Sequence, residues 1–179
     1  ITDLTIANGA ADKGGAIKID MKSELALSNV RIHDCTSTSY GGAIYLSNND
    51  SYFSADHCDF DHNQGYKGGA ICLDLMPNDA TYVPQLANCT FTSNTSRVDG
   101  GGLYAAGACN VDTCTFTSNT ANGDGGGGLF HSGATITNCD FVTNTADDGG
   151  GLVMMNASVA SESRVEGNIA RYSAGGMKV

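Results

Sequence analysis

The chain has 179 residues, including 24 glycines and 2 prolines, and its 9 Lys and Arg against 19 Asp and Glu give a net charge of −10. This acidity argues against partners such as nucleic acid, which is bound by neutralising phosphates with basic side chains, and against docking on anionic lipid. No apolar run approaches the ~20 residues of a membrane helix, so we expect no direct membrane insertion of this segment.

A short glycine motif recurs at intervals of 23 to 32 residues, counted at its last position. In its full form it reads Gly-Gly-Ala-Ile; later copies end in Leu or Met, and the last one begins with Ala174 in place of the first glycine. Seven copies at nearly constant spacing are typical of a repeat protein rather than of one globular unit. The copies lie at residues 14–17, 41–44, 68–71, 100–103, 126–129, 149–152 and 174–177.

A second motif precedes the glycine motif and consists of an aromatic residue followed three positions later by Asn. Stacked in register, the aromatic residues would form a column in the core, and the asparagines would form a hydrogen-bonded amide ladder along the axis. We interpret both as structural. Val165 would continue the column and Asn168 the ladder. The full pairs are Phe60 and Asn63, Phe91 and Asn94, Phe116 and Asn119, and Phe141 and Asn144.

Alternation of apolar and polar residues predicts short strands throughout the chain, and helical periodicity is absent. In 17–19, 44–46 and 71–73, the first and third residues share one face of a strand. Turns rich in Gly, Asn, Asp and Ser separate such segments, so each repeat supplies about three strands. One coil cannot bury its inward face alone, whereas coils stacked in parallel do so continuously. The sequence therefore predicts an all-β solenoid of about seven rungs of 23–32 residues.

At this spacing the two motifs resemble the repeats of the chlamydial polymorphic membrane proteins and, more broadly, the right-handed parallel β-helices of the pectin-lyase-like superfamily. The likeness extends over the whole chain, although Gly9 and Cys35 stand at two of the Asn positions. It implies a right-handed parallel β-helix in a surface-exposed or secreted, often adhesive region of a larger polypeptide. We therefore expect residues 1–179 to be a single β-helix segment of a longer solenoid, with further rungs covering its apolar end faces.

Four of the seven cysteines stand two positions before a column aromatic and would point inward on successive rungs. Their Cα atoms would lie about 4.8 Å apart, within the range of a disulfide. One interpretation is therefore pairing of Cys58 with Cys89 and of Cys114 with Cys139. The other is a column of small, buried, hydrophobic thiols. Spacing alone does not decide between them.

Two carboxylates, Asp59 and Asp61, are predicted to point outward beside Arg31 and His33 of the preceding rung. Paired acids beside a base are the groups with which glycoside hydrolases and pectin-degrading enzymes work. The alternative is ordinary cross-strand ion pairing, of Arg31 with Asp59 and of His33 with Asp61. Since later rungs carry threonines at these positions, we expect no enzyme activity and keep a polysaccharide lyase or glycoside hydrolase as the alternative.

A row of aspartates precedes several glycine corners, at Asp12, Asp99, Asp124, Asp147 and Asp148. Stacked rungs would align them into an acidic edge whose oxygens suit Ca²⁺. Asp is also favoured in turns for backbone reasons alone. We therefore expect solvated turn residues and no cofactor, with weak Ca²⁺ binding as the alternative.

Almost all of the variation in repeat length falls between the glycine motif and the next aromatic residue, so loops at 20–24, 47–52 and 74–84 are predicted to protrude. Loops on a rigid scaffold are where recognition concentrates. The longest loop carries Met76 and Tyr82, and we predict that it contacts a partner.

A second predicted contact surface is the outward column that follows the glycine motif. An exposed stripe of this kind would suit lateral packing or adhesion, unless neighbouring segments cover it. Its members are Tyr45, Cys72, Tyr104, Phe130 and Val153.

Among the Asn-x-Ser/Thr sequences, Asn49 and Asn156 are predicted N-glycosylation sites in a secretory context. The sequence as a whole predicts a structural or adhesive rod that is extracellular or at the cell surface. We expect its partners to be other surface proteins, glycans or further copies of itself, with filaments or appendages as the assemblies.

Overall fold

The computed structural model describes residues 1–47, 50–75 and 82–179, and in these ranges its regular structure is β-strand alone. No helix that could cross a membrane occurs in this described part. The chain winds into a coil whose successive turns pair in parallel, forming three long sheets. Two of the sheets hold seven strands each, so the chain makes about six turns between the first and the last of seven rungs. The predicted all-β solenoid is confirmed.

The first sheet carries the opening strand of every rung, and from the third rung onward that strand is divided in two by a residue with positive φ, such as His57 at 51°. Parallel pairing keeps equivalent residues opposite one another; Phe60, for example, pairs with Phe91. The strands are Thr2–Ala7, Glu24–His33, Tyr52–Asp56 with Asp59–Asp61, Gln85–Ala87 with Thr90–Thr92, Asn110–Asp112 with Thr115–Thr117, Thr135–Thr137 with Asp140–Val142, and Val159–Ser161 with Arg164–Glu166.

The second and third sheets flank the glycine corner of each rung. The second sheet consists of Ala10–Lys13, Thr36–Tyr40, Gln64–Gly65, Thr95–Ser96, Thr120–Ala121, Thr145–Asp148 and Ile169–Ser173. The third consists of Ile17–Ile19, Ile44–Leu46, Ile71–Leu73, Leu103–Ala105, Gly128–Phe130, Leu152–Met154 and Met177–Lys178.

The two glycines of each corner have different physical roles. The first, for example Gly41 with φ 63°, adopts a left-handed conformation that costs glycine no steric strain. The second allows close approach of the rungs, because a Cβ on Gly42 would collide with the carbonyl oxygen of Gly69 on the next rung. The positive φ of the corner therefore lies at its first glycine.

The core contains the predicted aromatic column. The rings of consecutive rungs are nearly parallel, with centroids 5.0, 4.5 and 4.7 Å apart, and every ring is fully buried. Ile32 and Val165 occupy the flanking positions of the column. The stacked rings are Phe60, Phe91, Phe116 and Phe141.

The amide ladder is also confirmed. Within it each asparagine donates its backbone N–H and its side-chain Nδ2 to the carboxamide oxygen of the next one, at 2.7 to 3.1 Å. The same Nδ2 also donates to a main-chain oxygen of the preceding rung, Phe60 in the case of Asn94. Buried amides are therefore satisfied without water. The ladder runs through Asn63, Asn94, Asn119, Asn144 and Asn168.

One predicted register is wrong. Gly128, not Leu129, pairs with Leu103 and Leu152, so Phe130 points inward opposite Ala105. Phe130 is fully buried and meets Phe141 edge-to-face at 6.4 Å. Its ring fills the space of the missing side chain, since a Cβ on Gly128 would lie 2.7 Å from the ring.

Candidate functional site

The charged cluster on the first sheet lies where it was predicted but pairs differently. Arg31 and His33 stand opposite Asp59 and Asp61 in the parallel register. The Arg31 guanidinium, however, donates to both oxygens of Asp61, at 2.8 and 3.1 Å. The expected pairs of Arg31 with Asp59 and of His33 with Asp61 are therefore wrong, because the long guanidinium side chain reaches the diagonal carboxylate.

The remaining members of the cluster have partners that the sequence did not indicate. Asp59 accepts a hydrogen bond from the Thr90 hydroxyl at 2.6 Å, and Nδ1 of His33 lies 2.6 Å from Asp34. The threonine partner could have been inferred, since Thr90 is opposite Asp59 in the same column.

The electrostatics of Asp61 favour its carboxylate form. Burial raises its pKa, but hydrogen bonds from Arg31 and His62 outweigh burial and bring the pKa below its ordinary value. A general acid needs a pKa near the working pH. Asp61 is therefore poorly suited to donate a proton at neutral pH.

The depression beside the charged cluster is lined by only two of its four residues. A shallow surface depression of about 310 Å³ beside the cluster is lined by Arg31 and Asp59, but not by Asp61 or His33. Its other lining residues are Asp3, Leu4, Thr5, Asn29, Val30 and His57.

The aspartates before the glycine corners form a ridge that contains its own cations. Lys178 lies 2.7 Å from Asp148 and 3.7 Å from Asp124, and Lys67 lies 3.6 Å from Asp99. Burial raises the pKa of Asp124, and the neighbouring carboxylates add to this effect while Lys178 opposes it. The oxygens that would bind Ca²⁺ thus face lysine ammonium groups.

Two of the predicted ridge residues lie one position away from it. Asp12 accepts hydrogen bonds from the hydroxyls of Thr38 and Ser39, at 2.8 and 2.6 Å. Asp147 pairs through its backbone with Gly123. Across residues 1–47, 50–75 and 82–179, no group of three or more His, Cys, Asp or Glu is arranged to hold a metal ion.

The outward column after the corner is covered rather than exposed. Leu129 takes the place predicted for Phe130, and Tyr45 and Cys72 are only 3% and 1% exposed. Side chains from the other side of the corner fold over the column: the Tyr40 ring stacks on Tyr45, and the Lys13 amine lies 5.0 Å from the Tyr45 ring. The expected exposed stripe is therefore wrong.

The same cover extends to the fourth rung. The amine of Lys67 lies 4.7 Å from the centre of the Tyr104 ring, and Tyr104 is half-buried. Val153, at the far end of the column, is buried too. Contacts within the chain therefore cover the outward column, which is not available as a binding surface.

The loop edge does expose aromatic side chains. Tyr52 and Tyr82 are 36% and 47% exposed and meet edge-to-face, with their ring centres 6.3 Å apart. Met21 is also exposed on the turn of the first loop. Tyr52 was missed as a contact residue, although it lies in the predicted protrusion 47–52. Met76 and Asn49 lie outside the described residues.

The predicted glycosylation site at Asn156 lies on a tight, exposed turn. Asn156 and Ala157 both have positive φ, 44° and 61°, and both are exposed. The hydroxyl of Ser158 donates to the main-chain oxygen of Met155 at 2.8 Å.

All seven cysteines are free and buried. Cys58, Cys89, Cys114 and Cys139 point inward on the third to sixth rungs, as predicted, and their sulfurs form one column. Cys72 occupies the outward position between Tyr45 and Tyr104, as predicted.

Comparison with known proteins identifies the fold at family level. Residues 1–130 match the family model described as the right-handed β-helix region. Neither the curated proteins nor the solved structures compared with the chain gave a match.

Proposed function

This chain belongs to the right-handed β-helix family, and from that premise we propose that it acts as a stiff structural or adhesive rod outside the cell or at its surface. The rod presents the edge containing Tyr52 and Tyr82 to a surface protein, a glycan or a second copy of the chain.

The observation that carries this proposal is the continuity of the core ladders. The aromatic column and the amide ladder link consecutive rungs, and the hydrogen bonds of the ladder run without interruption from Asn63 to Asn168. In a solenoid each rung is stabilised only by its neighbours, so unbroken ladders favour a long, stiff element. Stiffness is of direct use to a protein that holds a binding edge away from a surface.

The exposed tyrosine pair supports a contact role for the loop edge. Tyrosine combines a flat apolar ring with a polar hydroxyl and loses little conformational entropy on binding, which is why it is enriched in binding surfaces. Tyr52 lies at the start of a paired strand and Tyr82 leans against it, so the pair is positioned by the rigid sheet.

The charged cluster supports a non-catalytic role. A polysaccharide-cleaving enzyme would need one carboxyl group to supply a proton and a second to assist attack. Asp61 is held as a carboxylate by Arg31, and Asp59 accepts a hydrogen bond from Thr90. The cluster therefore fits an ionic clasp between the second, third and fourth rungs.

The proposal is tested by binding of the purified chain to surfaces, glycan panels and itself. We expect the double variant Tyr52→Ala, Tyr82→Ala to lose at least tenfold in affinity for whatever the wild type binds. Tyr66→Ala is the matched control, because Tyr66 is similarly exposed, at 44%, and lies away from the pair. Equal binding by the double variant would remove the tyrosine edge from the account.

The enzyme alternative has its own test. Turnover of any polyuronate or neutral glycan by the wild type, lost in Asp61→Asn, would replace the rod proposal with a catalytic one. We expect no turnover by either protein.

A further inference from the structure

Four thiols form a continuous inward column on the third to sixth rungs. Each sulfur donates to the main-chain oxygen two residues before it, at 3.1 to 3.3 Å, so the four side chains share one orientation. All four are 1% exposed or less. The members are Cys58, Cys89, Cys114 and Cys139.

The sulfurs lie in the gaps between rungs. The sulfur of Cys139 is 3.4 Å from the backbone nitrogen of Cys114, and the sulfur of Cys114 lies 3.6 Å from the main-chain oxygen of Leu86 on the rung before it. Neighbouring parallel strands place paired Cα atoms about 4.8 Å apart, inside the range of about 4.4–6.8 Å that a disulfide spans. The Cα spacing of adjacent thiols is therefore compatible with a disulfide.

The column is bounded by residues that cannot extend it. Val30 occupies the equivalent position on the second rung. Ser163 lies next to the column on the seventh rung, and its hydroxyl accepts a hydrogen bond from the backbone N–H of Cys139. If each thiol bonds only to an adjacent one, the four thiols can all be paired in only one way. Pairing of the middle two would leave the outer two without a partner.

The other three cysteines have no thiol neighbour. Their flanking residues in the stack are Gly9 and Asn63 for Cys35, Tyr45 and Tyr104 for Cys72, and Pro84 and Ala134 for Cys109. Burial raises the pKa of the Cys109 thiol to about 12 and raises that of Cys72 as well. These thiols are therefore isolated and unreactive in the folded chain.

We propose that the thiol column is a covalent cross-linking site, in which Cys58 bonds to Cys89 and Cys114 bonds to Cys139 when the chain folds in the presence of a low-molecular-weight disulfide. One cysteine thiolate attacks the small disulfide, releasing one thiol and forming a mixed disulfide. The neighbouring cysteine then displaces the second small thiol. Each bond thus consumes two protein thiols and one small disulfide and yields one protein disulfide and two small thiols.

The two bonds would staple the third rung to the fourth and the fifth to the sixth. Because a solenoid rung is stabilised only by its neighbours, staples inside the stack would oppose fraying and unwinding under load. The interface between Cys89 and Cys114 stays uncross-linked and is then the weakest point of the stapled region. This cross-linking does not depend on what the rod binds.

The test uses the full chain, refolded either with oxidised and reduced glutathione or with reductant, then alkylated in denaturant. We expect three alkylated cysteines and the loss of four hydrogens after oxidative refolding, against seven alkylated cysteines in reductant. Cleavage before aspartates cuts the chain between the partners of each pair, at Asp74 and Asp124 among others, so linked peptides report the pairing. Seven alkylated cysteines in both arms, or a bond between Cys89 and Cys114, would overturn the proposal.

Variants separate the pairing from the overall count. In Cys114→Ala the bond between Cys58 and Cys89 should remain and Cys139 should become alkylated, giving four modified cysteines. In the matched control Cys72→Ala both bonds should form, leaving two modified cysteines. Four modified cysteines in the control would mean that Cys72 takes part in a bond in the wild type, which contradicts the assignment. The count in the wild-type chain stands by itself if either variant fails to fold.

Discussion

The carboxamide oxygen of Asn119 accepts two hydrogen bonds from Asn94 on the preceding rung, one from the backbone N–H and one from Nδ2, both at 3.0 Å. Asn94 in turn uses the same Nδ2 to reach the main-chain oxygen of Phe60 at 2.9 Å. The Asn94 side chain thus links three consecutive rungs by hydrogen bonds. Because these groups are buried, removing one member of the ladder would leave polar groups without partners.

Replacing Asn119 with Ala should therefore destabilise the fold strongly. The change leaves two buried donors of Asn94 without an acceptor, and we expect a loss of about 2–4 kcal/mol in the free energy of unfolding. Denaturant titration measures this. Asn122→Ala, at an exposed turn position on the same rung, is the matched control and should change stability by less than about 0.5 kcal/mol. If both substitutions lowered the free energy of unfolding equally, the ladder would not contribute to stability as described.

Two glycine substitutions distinguish close approach of the backbone from strain in φ. Gly42→Ala places a methyl group against the carbonyl oxygen of Gly69, so the rungs must separate. Gly133→Ala meets nothing nearer than 3.5 Å, but Gly133 has φ 67°, which costs Ala about 1–2 kcal/mol. We expect Gly42→Ala to lower the melting temperature several times more than Gly133→Ala. The reverse order would refute the stacking seen at the corner.

The register at Gly128 is tested by Phe130→Ala. Because the Phe130 ring is fully buried against Phe141, its loss should cost about 3–5 kcal/mol. Tyr66→Ala removes an exposed ring of similar size and should cost far less. If both variants unfolded at the same denaturant concentration, Phe130 would be an outward residue and Leu129 the inward one.

The clasp between Arg31 and Asp61 predicts a dependence of stability on pH. The folded state holds the pKa of Asp61 below its ordinary value, so the unfolded chain binds the proton first as pH falls. The stabilisation is therefore complete above the unfolded pKa of about 4 and is lost below it, as pH falls through the folded pKa. Unfolding titrations of wild type and Asp61→Asn should differ at pH 7 and converge near pH 2. A gap that stays constant with pH would count against the clasp.

Passage through a eukaryotic secretory pathway should modify Asn156 and leave Asn94 unmodified. Asn156 lies on an exposed turn, whereas Asn94 is fully buried in the ladder. Intact mass before and after enzymatic deglycosylation measures occupancy. The shift at this site should vanish in Asn156→Gln and persist in the control Asn88→Gln. No change of mass in Asn156→Gln would exclude the site.

The inward half of each rung could be predicted from the sequence because stacking puts equivalent residues in the same environment on every rung. Phe91 and Asn94 recur with their neighbours at the same three-residue spacing, which is why the column and the ladder were both anticipated. The four glycines at 125–128 gave no such marker, since none has a side chain to show which one stands at the corner. The register is seen only in the structure, in the strand pairing of Gly128 and in the space that Phe130 fills.

The outward half of each rung was harder to predict because long side chains contact residues that are neither adjacent in the sequence nor directly opposite in the strand register. Lys13 and Tyr40 cover Tyr45 from the other side of a corner, and Arg31 reaches a diagonal carboxylate rather than the one opposite it. The spacing of the repeats predicts which Cα atoms lie opposite one another, whereas these contacts depend on the length and conformation of the side chains. The charged cluster was therefore located correctly and its pairing was not.

The most direct test of the rod proposal is electron microscopy of the native source material, labelled with an antibody raised against the edge that carries Tyr52 and Tyr82. The rod proposal predicts label along rods, filaments or appendages outside the cell, with density repeating about every 4.8 Å along the axis. Label confined to compact particles inside the cell would contradict it.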